Sequence, residues 1–271
     1  ASAYQRAPDQ EAGDPPLEQV VARTLEGGVR GRGRGVTWSA GWFHSLNTND
    51  IQFVTSDRTG FGYFANFGRT RRQGLEVAAR YQRGRVGVGG GYTWLDATFQ
   101  SEETLSGAGN STNDEGPGLE GRIDVQPGDR MPLIPRHVFK AFADVQISEA
   151  FSLDVDLLAS SGAIARGNEN NAHAPDGVYY LGPGATDPYA VLNLGARYQL
   201  RPWLQIFGEV NNLLNTKYST AAQLGPTGLT ATGAFVARPF PAVDGEFPLQ
   251  QSTFFAPGAP ATASAGVRVK F

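Results

Sequence analysis

The chain has 271 residues, a formal net charge of −3, 40% hydrophobic and 11% aromatic residues, 35 Gly and no Cys. Zero cysteine excludes disulfide scaffolds, zinc fingers and thiol nucleophiles, and the near-neutral charge argues against a protein that coats nucleic-acid phosphates. No window approaches the ~18 consecutive apolar residues of a membrane helix, so a helical membrane protein is excluded too.

In chain order, Ala1 to Ala22 read as the remnant of an external loop, and everything from 23 to 271 reads as strands. Apolar residues recur at every second position, and Gly interrupts every stretch long enough to be a helix. The period predicts nine strands, at about 23–31, 36–54, 61–82, 85–99, 136–148, 151–164, 188–200, 203–217 and 259–271. Leu75, Val77, Ala79 and Tyr81 alternate with Glu76, Ala78, Arg80 and Gln82. Ala263, Ala265, Val267, Val269 and Phe271 alternate with Ser264, Gly266, Arg268 and Lys270.

Several of these strands reach the ~9 to 11 residues that a tilted strand needs to cross a bilayer. Their connections alternate between tight turns (Arg32–Gly35, Arg83–Gly84, Glu149–Ala150, Arg201–Pro202) and long loops at 55–60, 100–135, 165–187 and 218–258. Alternation also puts Glu76, Arg80, Arg136, Lys140, Asp144, Asp154, Asp156, Arg197 and Glu209 on one polar face, expected to face a lumen. None falls on the apolar face, where a mid-bilayer charge costs roughly 2 to 4 kcal/mol. Trp38, Trp42, Tyr92, Trp94, Tyr198 and Trp203 stand near strand ends, as interfacial aromatics do. These features predict an all-β, antiparallel transmembrane β-barrel segment, with a soluble all-β sandwich as the rival.

Four segments resemble the TonB-dependent outer-membrane receptors. Asn66-Phe67-Gly68-Arg69-Thr70-Arg71-Arg72-Gln73-Gly74-Leu75-Glu76 looks like the start of one of their barrel strands. Pro127-Gly128-Asp129-Arg130-Met131-Pro132-Leu133-Ile134-Pro135-Arg136-His137 resembles the return from a long external loop. Val210-Asn211-Asn212-Leu213-Leu214-Asn215-Thr216-Lys217-Tyr218 resembles their Asn-Leu-Phe-Asp-x-x-Tyr signature, with Leu214 and Asn215 in place of Phe and Asp. The terminal strand with Val267, Val269 and Phe271 looks like the aromatic signal read by the barrel-assembly machinery.

The resemblance implies about nine strands of a 22-stranded barrel in the bacterial outer membrane, whose N-terminal plug and TonB-contact segment lie outside this chain. Its implied activity is uptake of a scarce nutrient, foremost an iron-siderophore complex or another metal chelate, with energy coupled through TonB. Its implied partners are outer-membrane lipid and lipopolysaccharide, TonB, the assembly machinery and a small-molecule ligand such as a siderophore. No nucleic acid, resident metal or cofactor is expected. The alternatives are a passive, porin-like channel and, less expected, an outer-membrane hydrolase.

His44, His137 and His173 lack metal-ligand spacing, and nothing singles out a nucleophile, so no catalytic residue is assigned. Gly31-Arg32-Gly33-Arg34-Gly35 reads as a hairpin turn, and Gly87-Val88-Gly89-Gly90-Gly91 as a strand that lets a neighbour approach closely. The 100–135 loop carries seven acids against two arginines, read either as a solvated loop or as an acidic mouth that takes a cation. The 218–258 loop is nearly uncharged and aromatic, and its Phe235, Phe240, Phe254 and Phe255 are the ligand-contact candidates.

Overall fold

The computed structural model describes residues 17–55, 62–116, 121–229, 232–235 and 249–270. Among them there is no helix. The period-2 pattern becomes a nine-stranded antiparallel meander built from β1 (Val21–Gly33), β2 (Val36–Thr55), β3 (Gly62–Arg83), β4 (Val86–Phe99), β7 (His137–Gln146), β8 (Phe151–Ser160), β9 (Tyr189–Arg201), β10 (Leu204–Asn211) and β13 (Thr262–Val269). Each strand pairs with its sheet neighbour in sequence, and β1 and β13 form the two edges. The four remaining strands make two hairpins, β5 (Glu103–Ser106) with β6 (Arg122–Val125), and β11 (Ser219–Thr227) with β12 (Gln250–Pro257).

The nine main strands are those that the alternation predicts, with two corrections of substance. The 100–135 and 218–258 connections are not bare loops, because each folds back into a hairpin. The predicted 203–217 strand ends at Asn211, because Asn212 and Asn215 adopt positive φ. The Asn212 side chain there donates to the carbonyls of Thr216 (2.9 Å) and Ala259 (3.0 Å) and accepts from the Thr216 N–H (2.9 Å). This stretch of the family signature is therefore a clasp that turns the chain out of β10 and fixes its return into β13.

Register settles the two faces. The rows Trp42–Leu75–Trp94–His137 and Ala40–Val77–Tyr92–Phe139 lie on one side, and Gly41–Glu76–Thr93–Val138 and Thr37–Arg80–Gly89–Phe142 on the other. Leu25, Val29, Trp38, Leu75, Val77, Phe139, Ile206 and Val267 all stand on the apolar face and are all exposed. In water each would forfeit roughly 1.5 to 3 kcal/mol of transfer free energy; against acyl chains it forfeits none. Along β3 the outward stretch from Gln73 to Arg83, at ~3.4 Å per residue and a tilt of ~40°, spans about 25 Å, the height of a barrel's apolar band.

Among the described residues, outward positions do carry charge at the ends of this band: Arg71 and Asp96 at the long-loop end, and Arg83 as its last residue at the turn end. The expected absence of charge on that face therefore holds for the interior of the band and not for the whole strand length.

The glycine excess has a packing cause. Gly31 faces Trp38, Gly74 faces Phe43, Gly89 faces Phe142 and Gly266 faces Phe207 across paired strands, and an added Cβ would come within 2.6 to 2.8 Å of each ring. Aromatic rings lying over glycines pin register while leaving both faces smooth. At the turn end, Arg34 and Gly35 both have positive φ, the conformation a two-residue type I′ hairpin requires.

Candidate ligand-binding mouth and charged wall

At the long-loop end the strands run past the apolar band and meet the hairpins. Asn49 in β2, at φ 57°, kinks the strand. Above it Phe67 turns toward Phe99, Ala97, Val125 and Met131, and these five form the buried apolar cluster of the mouth. Leu105 of β5 and Ile134 pack against it, so the acidic 100–135 connection is anchored by its apolar residues, while Glu102, Asp114, Glu115 and Asp124 stand exposed. Phe99 and Val125 are essentially inaccessible.

The three long connections are tied together by amide side chains. Asn110 is fully buried; its Nδ2 donates to the Gly167 carbonyl (2.9 Å) and to Asn170 Oδ1 (3.1 Å), while its Oδ1 accepts from the N–H (3.1 Å) and hydroxyl (2.9 Å) of Thr112. Asn171 pairs with the Arg130 backbone as another peptide would, accepting its N–H (2.7 Å) and donating to its carbonyl (3.0 Å). Asn168 donates to the Gly184 carbonyl and accepts from the His173 N–H, both at 3.0 Å. The segment 168–171 thus joins the 100–135 loop to the 161–188 loop.

The 161–188 loop in turn joins the last hairpin. The Arg166 backbone N–H donates to the Ala222 carbonyl (2.9 Å) and its carbonyl accepts from the Leu224 N–H (2.8 Å); in β12 the Gln251 N–H donates to the Tyr179 carbonyl (2.6 Å) and its carbonyl accepts from the Leu181 N–H (2.9 Å). Such amide hubs satisfy both backbone donors and acceptors, which a buried loop must do.

His173 lies within this junction. Its Nδ1 accepts the Ser111 N–H (3.1 Å) and its Nε2 faces the Gly182 carbonyl (3.1 Å), which fixes the neutral Nε2–H tautomer. Burial pushes its pKa below the ordinary histidine value, against smaller upward pulls from the Gly182 carbonyl and Asp176. Beside it, the Arg166 guanidinium stacks over the Phe53 ring at 4.9 Å. A cavity of about 60 Å³ lined by Phe53, Phe67, Phe99, Arg166 and Glu169 opens there. Burial raises the Glu169 carboxyl pKa, opposed by the Gly167 N–H it accepts (2.9 Å) and by Arg166. The cavity so offers one cation on an aromatic face, one carboxyl and two buried rings.

The three described phenylalanine candidates do not converge on it. Phe235 is 88% exposed, and Phe254 (50%) and Phe255 (44%) stand at the surface of β12. Phe240 lies outside the described residues, as does Phe271 of the assembly signal; Val267 and Val269 of that signal are on the apolar face. Asn168, Asn171, Arg166 and Glu169 were not picked out by sequence reasoning, and Asn110 reads there only as part of the Asn110-Ser111-Thr112 polar triplet. The run Asn168-Glu169-Asn170-Asn171 likewise reads as generic polar loop.

On the charged wall, register places Glu76, Arg80, Lys140, Asp144, Asp154, Asp156, Arg197 and Glu209 on one face, opposite the apolar side. Charge is divided along it. Arg30, Arg32, Arg80 and Lys140 border a groove of about 860 Å³ floored by Gly90 and Gly91, whereas Asp144 sits directly opposite Asp154, with Asp156 and Glu209 nearby and Arg197 paired to Asp154. Arg136 departs from its expected place on this face. It precedes β7, and its guanidinium instead meets Asp96 (3.0 Å) on the outward side, drawn there by the carboxylate. His137 remains outward, its Nδ1 2.7 Å from the Tyr92 hydroxyl.

An antiparallel meander with one apolar and one charged face, tight turns at one rim and folded loops at the other, is the wall of a transmembrane β-barrel. A family model described as TonB dependent receptor-like, beta-barrel, matches residues 2–213. The chain belongs to that family, one of transport receptors. Three solved structures share its fold. The ferric-catecholate import receptor Fiu of E. coli K12 is 18% identical with a TM-score of 0.59, covering 100% of this chain and 30% of its own. The ferric yersiniabactin uptake receptor FyuA of Yersinia pestis is 14% identical with a TM-score of 0.60, covering 93% and 30%. The siderophore receptor PiuA of Acinetobacter baumannii is 14% identical with a TM-score of 0.58, covering 91% and 28%. The chain thus spans less than a third of the length of each.

Proposed function

We propose that this chain forms part of the wall and mouth of a bacterial outer-membrane receptor that imports a metal chelate, foremost a ferric siderophore, with energy delivered through TonB. The observation that carries the reading is the match of the receptor-barrel family over most of the chain, joined to a fold shared with a ferric-catecholate import receptor, a ferric yersiniabactin uptake receptor and a siderophore receptor. The tied mouth supports it. A passive channel gains nothing from loops locked together over the wall, whereas a receptor gains a preorganised surface for a ligand that arrives at low concentration.

In this reading the hairpins and the Arg166–Glu169 cavity face the outside, the charged wall faces the lumen, and Phe235, Phe254 and Phe255 make the first apolar contacts with the ligand. Arg166, held on the Phe53 ring, supplies the charge that attracts the anionic periphery of a chelate. Strand partners for the open edges of β1 and β13 come from the rest of the barrel, since unpaired backbone cannot face lipid.

The test is growth of receptor-deleted, iron-starved cells carrying the full-length gene, with and without TonB, on a panel of ferric siderophores. TonB-dependent growth on one class is the expected result. Non-saturable solute leakage through the full-length protein in liposomes, with no TonB requirement for growth, would replace the receptor reading by a passive channel.

A further inference from the structure

On the inward face, two adjacent rows of register cross from β1 to β7. One reads Arg30–Ser39–Ala78–Gly91–Lys140, and the next toward the turns reads Arg32–Thr37–Arg80–Gly89–Phe142. In the first row a cation stands at each end, roughly 19 Å apart across four strand spacings, and the three residues between them are small. The wall is hollow there. Gly90 and Gly91 floor the groove of about 860 Å³, and all four cations border it.

Among the described residues, none of Arg30, Arg32, Arg80 and Lys140 forms an ion pair. The acids of the flanking inward rows, Glu76 toward the mouth and Asp144 toward the turns, are paired with none of them. Arg80 is held instead on an aromatic face, its Cζ 5.3 Å from the centre of the Phe142 ring, and that ring lies over Gly89. Such a contact fixes the guanidinium without neutralising it. The other half of the wall is built differently, with Arg197 paired to Asp154. A wall that needed charge only for solvation would interleave its signs throughout, because four like charges around one hollow repel one another.

Size and sign together identify the occupant. The volume lies within the ~300 to 1,000 Å³ of small-molecule sites. Cations lining a low-dielectric cleft focus a field that concentrates anions about 10- to 10³-fold.

We infer that this trough is a second ligand site, on the lumen wall below the mouth, which holds a small polyanion among Arg30, Arg32, Arg80 and Lys140. The inference rests on the receptor reading above and deepens it: the anionic periphery that meets Arg166 at the mouth is met again inside the wall.

The test uses the full-length receptor in the outer membrane of intact cells, with one thiol introduced as Ala78→Cys on the trough floor. The chain has no Cys of its own, so the mass of the peptide around position 78 reports labelling there. The probes are two methanethiosulfonates of similar size, one ending in a sulfonate and the other in a trimethylammonium group. The sulfonate is expected to react at least tenfold faster, and millimolar citrate to slow it severalfold. Arg30→Gln with Lys140→Gln should cut the preference about fivefold; the order of the reagents in the Ala78→Cys receptor decides the matter even if that variant does not assemble. Asn193→Cys, opposite Asp156 on the other half of the wall, should reverse the order.

Equal rates at position 78, or a sulfonate preference as large at 193, overturns the inference. So does a preference that citrate leaves unchanged, which reduces the trough to a diffuse field without a bound anion. Reaction with neither reagent assigns the trough to a folded domain packed against it and overturns the small-molecule occupant. Ala79→Cys, one residue along and facing outward, should react with neither; labelling there as fast as at 78 refutes the barrel wall itself, separately from the trough.

Discussion

The wall and the mouth of this molecule are held together by different physics. Across the wall, backbone ladders run strand to strand, side chains touch mostly their cross-strand partners, and the large apolar residues are exposed, because the bilayer is their solvent. The mouth has no bilayer to lean on. It buries Phe67, Phe99, Val125 and Met131 in a small cluster, and buries Asn110, Asn168 and His173 in a closed hydrogen-bond network beside it. The contrast teaches that apolar burial inside the protein and polar satisfaction stabilise the loops, while the wall depends on what surrounds it. The two parts should therefore fail independently and respond to different perturbations.

The largest effect is expected from Phe99→Ala. It empties the centre of the mouth cluster and should cost ~3 to 5 kcal/mol, read as faster amide exchange across 100–135 and 161–188. If the turn-end half of β4 exchanges faster to the same degree, the two regions are one cooperative unit and the comparison fails.

Second comes Val77→Arg, in the middle of the outward band, at ~2 to 4 kcal/mol. Folding titration into lipid vesicles should show the loss, and Ala78→Arg, one residue along and on the charged face, should show far less. Equal losses at 77 and 78 would overturn the assignment of faces.

Third is Asn110→Ala. Removing a buried amide that serves Gly167, Asn170 and Thr112 leaves a carbonyl and two donors unpaired, at ~1 to 3 kcal/mol. Exchange should rise in the loops alone, with the folded fraction of barrel unchanged.

The smallest effect is on pH. Because burial lowers the folded-state pKa of His173, its contribution is complete above about 6.5, the unfolded value, and shrinks as pH falls through that value toward the folded one. A protonated Nδ1 can no longer accept the Ser111 N–H. Protection of that amide should drop between neutral and mildly acidic pH, and His173→Gln, which can still accept and donate, should flatten the dependence. Glu169, with a raised folded pKa, works in the opposite sense: it favours the folded mouth in acid and opposes it as pH rises through the ordinary carboxylate range. Unchanged acid sensitivity in the Gln variant would remove His173 from the account.

Sequence alone carried the wall a long way. Strict alternation can be satisfied by only one pairing face, so residues such as Leu75 to Tyr81 and Ala263 to Val269 disclosed their strands, their register partners' side and the apolar band without any tertiary information. The four resembling segments disclosed the receptor family. The mouth was opaque for the opposite reason. Its hairpins are short, β5 and β6 having four residues each, too few for a period to show, and its stabilising residues are asparagines whose partners lie tens of positions away.

Three features were decided only by tertiary structure. The kink at Asn49 turns Phe67 inward, although simple alternation would leave it on the outward side. Asp96 draws Arg136 off the charged face, since a buried carboxylate gathers the nearest cations regardless of strand parity. The loops fold as one cap because Asn110, Asn168 and Asn171 each find both a donor and an acceptor on another segment. Periodicity is a local property and survives in the sequence; hydrogen-bond complementarity between distant loops is not local, and exists only once the strands have brought those loops to the same rim.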